Sequence, residues 1–137
     1  MAYWLLKSEP EEYSWERMVA DGKTRWEGVR NNQAALHLKA MAAGDRAFFY
    51  HSGAERRIVG IVEVSRAHYP DPTDEKGRFV AVDVRAVGPV ARPVTLAEIK
   101  AAPRLAHLPL LKMSRLSVSS IGPKDWTLLC SMAKTKP

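Results

Sequence analysis

Cysteine is nearly absent from this chain. Cys130 is the only one, so no intrachain disulfide can form, and a reducing compartment, the cytoplasm, is the expected setting. Long apolar runs are missing too. None approaches the length of a membrane span, and the acidic Glu9-Pro10-Glu11-Glu12 follows the N-terminus too closely for a charged-then-apolar secretory leader. The histidines are few and scattered: His37, His51, His68 and His107 never fall at the spacing of a helical or knuckle ligand pair, so no metal site is expected. No glycine-rich run precedes a helix and no Gly-Lys-Ser/Thr occurs, which removes the common phosphate cradles, and no cofactor is expected. A nucleophile elbow is likewise missing. His51 and Ser52 are adjacent on a predicted strand and point to opposite faces, so they cannot act on one another directly. Cys130 falls in the apolar face of a predicted helix, where a buried inert thiol is the rule.

What is present is an ordinary globular composition with a basic balance. Lys and Arg number 21 against 15 Asp and Glu, a net charge of +6 and a pI near 9.7. Such a surface favours polyanions, nucleic acid before an anionic membrane. No basic amphipathic helix is visible, which counts against the membrane. The 137 residues are expected to form one domain, 1–137, acting as a monomer.

Periodicity and punctuation divide the chain into short elements. Tyr3–Lys7 reads as an interior strand ended by Ser8-Glu9-Pro10. Ser14 caps a short helix to Ala20 that Gly22 stops. Asn32 is the predicted cap of a second helix, Gln33 to about Ala43. Arg46–His51 is a strand of high β-propensity, and Ile58–Val64 a longer one in which Gly60 marks a bulge or a close backbone approach. Tyr69–Gly77 reads as a rigid polar loop, and Phe79–Val87 as an alternating strand, with Pro89 and Pro93 punctuating its exit. Thr95-Leu96-Ala97-Glu98 matches a capping box. Leu105–Leu111 is proline-broken and expected to be irregular, and Arg115–Ser119 alternates like a strand with Leu116 and Val118 inward. Pro123 opens a last helix carrying Trp126, Leu129, Cys130 and Ala133 on one stripe. The predicted class is α+β: a small barrel or curled mixed sheet of about five to six strands with peripheral short helices.

Trp26-Glu27-Gly28-Val29-Arg30-Asn31-Asn32-Gln33-Ala34 is the densest stretch of unusual residues, read as an irregular loop feeding a helix. The indole suits a flat ligand and the amides can read its edge. The alternative is that Trp26 closes the core and Asn31 or Asn32 only caps the helix. A second half-site, Phe48–Ser52, adds Tyr50 as a second wall. Ser8, Asn31, His51, Ser52 and Ser117 are short hydrogen-bonding groups near strand ends, and Arg30, Arg56, Arg57 and Arg115 can hold phosphates outside. One base in such a pocket would first leave its stack, at a few kcal/mol, and stacking on an aromatic returns roughly 1–3 kcal/mol. The competing possibility is an enzyme, or a small-molecule binder, acting on a nucleotide-like ligand in the same pocket.

Tyr3–Pro10, Tyr13-Ser14-Trp15 and Trp26–Asn31 together resemble the EVE domain. So do Gly44-Asp45 with Phe49–Ser52, Tyr69-Pro70-Asp71-Pro72, Pro93–Leu96 and Arg115–Val118. These ordered matches run from Tyr3 to Trp126. The family belongs to the PUA-like superfamily together with the YTH domain. The resemblance implies a small β-barrel with flanking helices, no catalysis, and a pocket for a modified base in DNA or RNA. The favoured base is left open between 5-methylcytosine, another modified pyrimidine and a methylated purine. Carried over by position, Trp26 is a cage aromatic with the Val29-Arg30-Asn31 backbone and the Asn31 amide beside it. Lys7 and Ser8, Tyr50, His51 and Ser52, and Arg115 with Ser117 complete the wall, and Arg56 and Arg57 contact the phosphate backbone. Two stretches depart from the family pattern. Asn32–Leu36 lacks an expected aromatic and arginine, and Arg78-Phe79 stands where Pro-Arg-Trp is common.

Overall fold

Alternation along the strands sends side chains to two sides, and here both sides are covered. The structure, a computed structural model, describes residues 1–137. Six strands, β1 (Tyr3–Ser8), β2 (Lys23–Trp26), β3 (Arg46–His51), β4 (Arg57–Pro70), β5 (Val80–Thr95) and β6 (Val118–Ile121), form one sheet in the order β2-β5-β4-β3-β1-β6. Five short helices surround it: α1 (Trp15–Asp21), α2 (Asn32–Ala40), α3 (Leu96–Lys100), α4 (Pro109–Lys112) and α5 (Pro123–Met132). The β1–β3 pair is parallel and every other pair antiparallel, so the sheet is mixed and the class α+β. The ladder is open, with β2 and β6 at its ends rather than joined into a closed barrel. It nevertheless curls, because α2 packs against both β5, next to one end of that order, and β6 at the other end.

On one face Trp4, Leu6, Ala47, Phe49, Val62, Val82 and Val84 pack under Trp15 and Met18 of α1 and Ala34 and Leu38 of α2. On the other, Leu5, Phe48, Tyr50, Ile58, Ile61 and Val94 pack under Ile99 of α3 and Trp126, Leu129 and Cys130 of α5. Trp126 is sandwiched between Tyr3 and Phe48, with ring centroids 4.4 and 4.0 Å away and planes near parallel. Its buried Nε1 has no hydrogen-bond partner, so the indole is held by packing alone. Burial pushes the Cys130 thiol up to about 11, the state of an inert core cysteine. No helix is long and apolar enough to cross a membrane.

Local signals read from the sequence reappear as hydrogen bonds. The Ser14 side chain accepts from the Arg17 amide, and Thr95 and Glu98 close a capping box at both its bonds. The α5 stripe is buried as expected. The differences are informative. Asn31, not Asn32, caps α2, and the helix stops at Ala40. β2 falls in a stretch assigned no element from the sequence up to Trp26, the first residue of the expected loop, and it is held by pairing with β5 rather than by any pattern of its own. β4 continues to Pro70. β5 runs through Pro89 and Pro93 to Thr95, and the β4–β5 ladder slips in register several times along its length; such irregular pairing tolerates prolines that a regular ladder would exclude. Pro103 starts a 3-10 turn (Pro103–Leu105) that leads into the Leu105–Leu111 stretch expected to be irregular, Pro109 starts α4 within it, and β6 begins only at Val118.

Gly60 is both a register slip and a close approach. A Cβ there would stand 2.5 Å from the Trp15 ring. Gly60→Ala is therefore expected to displace α1 and lower stability by about 1–3 kcal/mol, the range of an overpacked core. Urea unfolding checks this, and a second change that shrinks Trp15 is expected to recover part of the loss.

Candidate functional site

The parallel pair β1 and β3 ends at one open cleft of about 760 Å³. Its floor is tied by backbone bonds across three segments: the Lys7 amide donates to the Ser117 carbonyl, and the Ser52 amide to the Ser8 carbonyl, each at 2.9 Å. Of its twenty lining residues only Tyr13, Trp26 and Val29 are aromatic or apolar, so recognition there is polar around a few flat surfaces.

Each polar group has a defined remaining capacity. The Ser8 hydroxyl donates to the Tyr13 carbonyl at 2.7 Å, which leaves its oxygen as an acceptor for the cleft. Asn31 Oδ1 accepts from the Ala34 amide at 2.9 Å, which leaves the amide NH₂ as a donor pair. The cap and the cleft functions of Asn31 are thus served by opposite ends of one side chain. Lys7 Nζ donates to the Ser114 carbonyl at 3.0 Å, and burial lowers its pKa from the usual lysine range. Trp26 is 9% exposed. Its ring meets Phe49 edge-to-face at 5.6 Å and 87° while also bordering the cleft, so it belongs to core and cleft at once.

The loop between Trp26 and Asn31 is held from behind by Asp71. Its Oδ2 accepts from the Gly28 amide at 2.8 Å and from Arg30 Nη1 at 3.0 Å. Its Oδ1 accepts from the Thr73 amide at 2.7 Å and the Thr73 hydroxyl at 2.6 Å. Gly28, at φ +80°, turns its amide toward this carboxylate where an L side chain would be strained. Arg30 also donates to Thr73 Oγ1 and lies 5.5 Å from the Phe79 ring centroid. Burial alone would raise the Asp71 pKa. The bonds from the Thr73 hydroxyl, the Gly28 and Thr73 amides and Arg30 outweigh it and bring it down to about 2.

Nine residues expected at a pocket line this cleft: Lys7, Ser8, Trp26, Val29, Arg30, Asn31, Ser52, Arg115 and Ser117. Tyr50 and His51 do not. Tyr50 points to the second core, 2% exposed, because it alternates with Phe49 along β3. His51 lies on the first-core side but under α1. Its Nε2 accepts the Trp15 amide at 2.9 Å, and Nδ1 therefore donates to Glu55 at 3.0 Å. It satisfies a first-turn N–H that a helix leaves unpaired, and it pins α1 to β3. Arg56 and Arg57 lie beyond Ser52 and Gly53 and do not line the cleft. Arg57 is paired with Glu55, and Arg56 is exposed at φ +47°.

A family model described as the EVE domain matches residues 2–132. The chain belongs to the EVE domain family. It is 35% identical to thymocyte nuclear protein 1 of Gallus gallus over 98% of this chain and 70% of that protein. A solved Rhodopseudomonas palustris structure is 53% identical, with a TM-score of 0.93 over 98% of this chain and 94% of that one. The crystal structure of the human THYN1 protein in complex with 5-methylcytosine-containing DNA is 30% identical with a TM-score of 0.89, and each chain is covered in full. A YTH domain of Zygosaccharomyces rouxii, 17% identical at a TM-score of 0.63, shares the fold.

In this EVE domain the cleft also contains residues that pattern reading did not assign. Tyr13 takes the place expected of Tyr50 as second aromatic, and Arg17, Asp21 and Thr24 stand beside it. The nearest signal was the Tyr13-Ser14-Trp15 match, which marks the turn without saying which ring faces the cleft. Arg25 is paired with Glu27 at 2.6 Å. Arg115 is exposed at the lip, and among the cleft cations it and Lys7 have no carboxylate partner. The side of the cleft formed by β1 and the 114–117 segment is therefore its positive side.

Proposed function

We propose that this EVE domain is a non-catalytic reader of a modified base, 5-methylcytosine in DNA first, held in the cleft beside Trp26. The observation that carries the reading is the complementary wiring around that indole: Asn31 keeps its NH₂ as donors and Ser8 its oxygen as an acceptor, so the edge of a flat heterocycle is favoured in one orientation. The human relative solved with 5-methylcytosine-containing DNA supports the choice of base and backbone. Lys7, Val29, Arg30, Ser52, Arg115 and Ser117 complete the wall in this reading, and the curled sheet acts as a small PUA-like barrel with the cleft at its mouth. The catalytic alternative is weakened because His51, the nearest candidate base, spends Nε2 on the Trp15 amide. We place the protein in the cytoplasm as a monomer; fractionation and sedimentation check those two statements.

Burying a methyl contributes about 0.8 kcal/mol, and a shaped gap raises that to roughly 1–3 kcal/mol. Matched oligonucleotides differing in one methyl, on DNA and RNA backbones, should therefore differ in affinity by about 10–200-fold in favour of the modified member. Equal binding of modified and plain members on both backbones would refute the reading.

Asn31 separates cap from recognition. Asn31→Asp keeps a good cap and is expected to leave the melting temperature nearly unchanged, yet it replaces the donor pair with an acceptor and should shift base preference. Asn31→Ala should lose both, with about 1 kcal/mol of stability. An unchanged preference in the aspartate variant would remove Asn31 from the reading set.

Arg56, the unpaired cation of its turn, is our candidate phosphate contact, with Arg57 secondary because Glu55 already holds it. Each neutralised phosphate contributes about −0.9 to the log–log salt slope on duplex DNA. Arg56→Glu should flatten the slope by about that amount and leave base preference alone. An unaltered slope would make Arg56 a bystander.

A further inference from the structure

The cleft is larger than one flat base requires: about 760 Å³ lies in the range of pockets that take whole drug-sized ligands. Trp26 accounts for one part of it. Another part is built by the turn before α1 and by α1 itself. There Tyr13 packs against the first core, and the Arg17 guanidinium lies over its ring, 5.2 Å from the centroid. Asp21 holds both: it accepts from the Tyr13 hydroxyl at 2.7 Å and stands 4.0 Å from Arg17 Nε. The result is a guanidinium over a phenol ring, with a carboxylate 4.0 Å from its Nε and the Arg17 side chain still 64% exposed. Guanidinium planes of this kind are platforms on which unstacked bases sit. The neighbouring lining carboxylates, Glu9 and Glu12, would repel a phosphate but can accept from the exocyclic amine of a base.

We propose that Arg17, over the Tyr13 ring, is a second stacking platform that takes the base of the nucleotide next to the modified one. The cleft then holds a dinucleotide, and the favoured ligand is a modified base in a single-stranded or locally melted segment. This rests on the reader function proposed above.

The test uses single-stranded DNA oligonucleotides with one 5-methylcytosine, in which the residue on its 5′ or 3′ side is either normal or abasic. The abasic member keeps the phosphate and removes only the base. On one of the two sides the missing base is expected to weaken binding to the unaltered protein by about tenfold, the size of one stacking contact. The same comparison in Arg17→Ala and Arg17→Lys should show no such loss, since lysine keeps the charge but has no plane. An abasic neighbour that costs nothing on either side overturns the proposal. So does an Arg17→Lys protein that still shows the full tenfold loss. Equal binding of the methylated and unmethylated oligonucleotides to the unaltered protein would instead sink the reader function itself, whatever Arg17 does.

Discussion

Asp71→Ala is expected to lower stability by about 2–3 kcal/mol and to weaken binding of every oligonucleotide, although Asp71 does not line the cleft. The magnitude is that of leaving hydrogen-bond donors without their acceptor: the carboxylate is buried, but Arg30 is 40% exposed and can turn to water. The Gly28 amide and Arg30 would lose their acceptor together, and these are the groups that hold the Trp26–Asn31 loop in shape. Acid should reveal the same carboxylate. Its folded pKa, about 2, lies below the ordinary value of 3.8, so its contribution is fully present above about pH 4. That contribution, roughly 2 kcal/mol, is lost as pH falls toward 2. Urea unfolding at stepped pH should therefore show a decline from pH 4 to 2 that is shallower in Asp71→Asn. An identical acid profile in that variant would mean that other carboxylates carry the acid lability.

Trp26→Ala should show two losses that separate under the right measurement. The indole is nine-tenths buried and packed on Phe49, so truncation is expected to cost about 3–5 kcal/mol of stability. Small domains have about 5–15 kcal/mol in total, so the variant should still be folded at low temperature. Binding measured there should fall for all bases alike, by the roughly 1–3 kcal/mol of a lost stacking surface. Trp26→Phe, which retains a ring, should recover part of both. Full binding by folded Trp26→Ala would make the residue a core element that merely borders the cleft.

Features decided within a few residues were legible from the chain alone. Ser14 before α1, the Thr95–Glu98 capping box and the stripe of α5 are local hydrogen bonds or single-helix periodicity, and neighbours in sequence determine them. The six residues of β3 were legible for the same reason, through an unbroken β-prone run. So was the family, and with it nine of the residues that meet at the cleft, because ordered motifs spread over the whole chain add up where each alone is weak.

Tertiary structure decided the rest. Alternation places Tyr50 and His51 on opposite sides of β3, but only the packing of α1 and α5 shows that both sides are core. β2 is four residues long and exists because β5 offers it a ladder, a partner some sixty residues away. Asn31 and Asn32 are equivalent as caps on paper; the fold brings Asn31 alone to the cleft as well. Asp71 meets Gly28 and Arg30 across more than forty residues. No local pattern encodes that meeting, since a carboxylate in a Pro-Asp-Pro turn looks like any other until the chain returns to bury it.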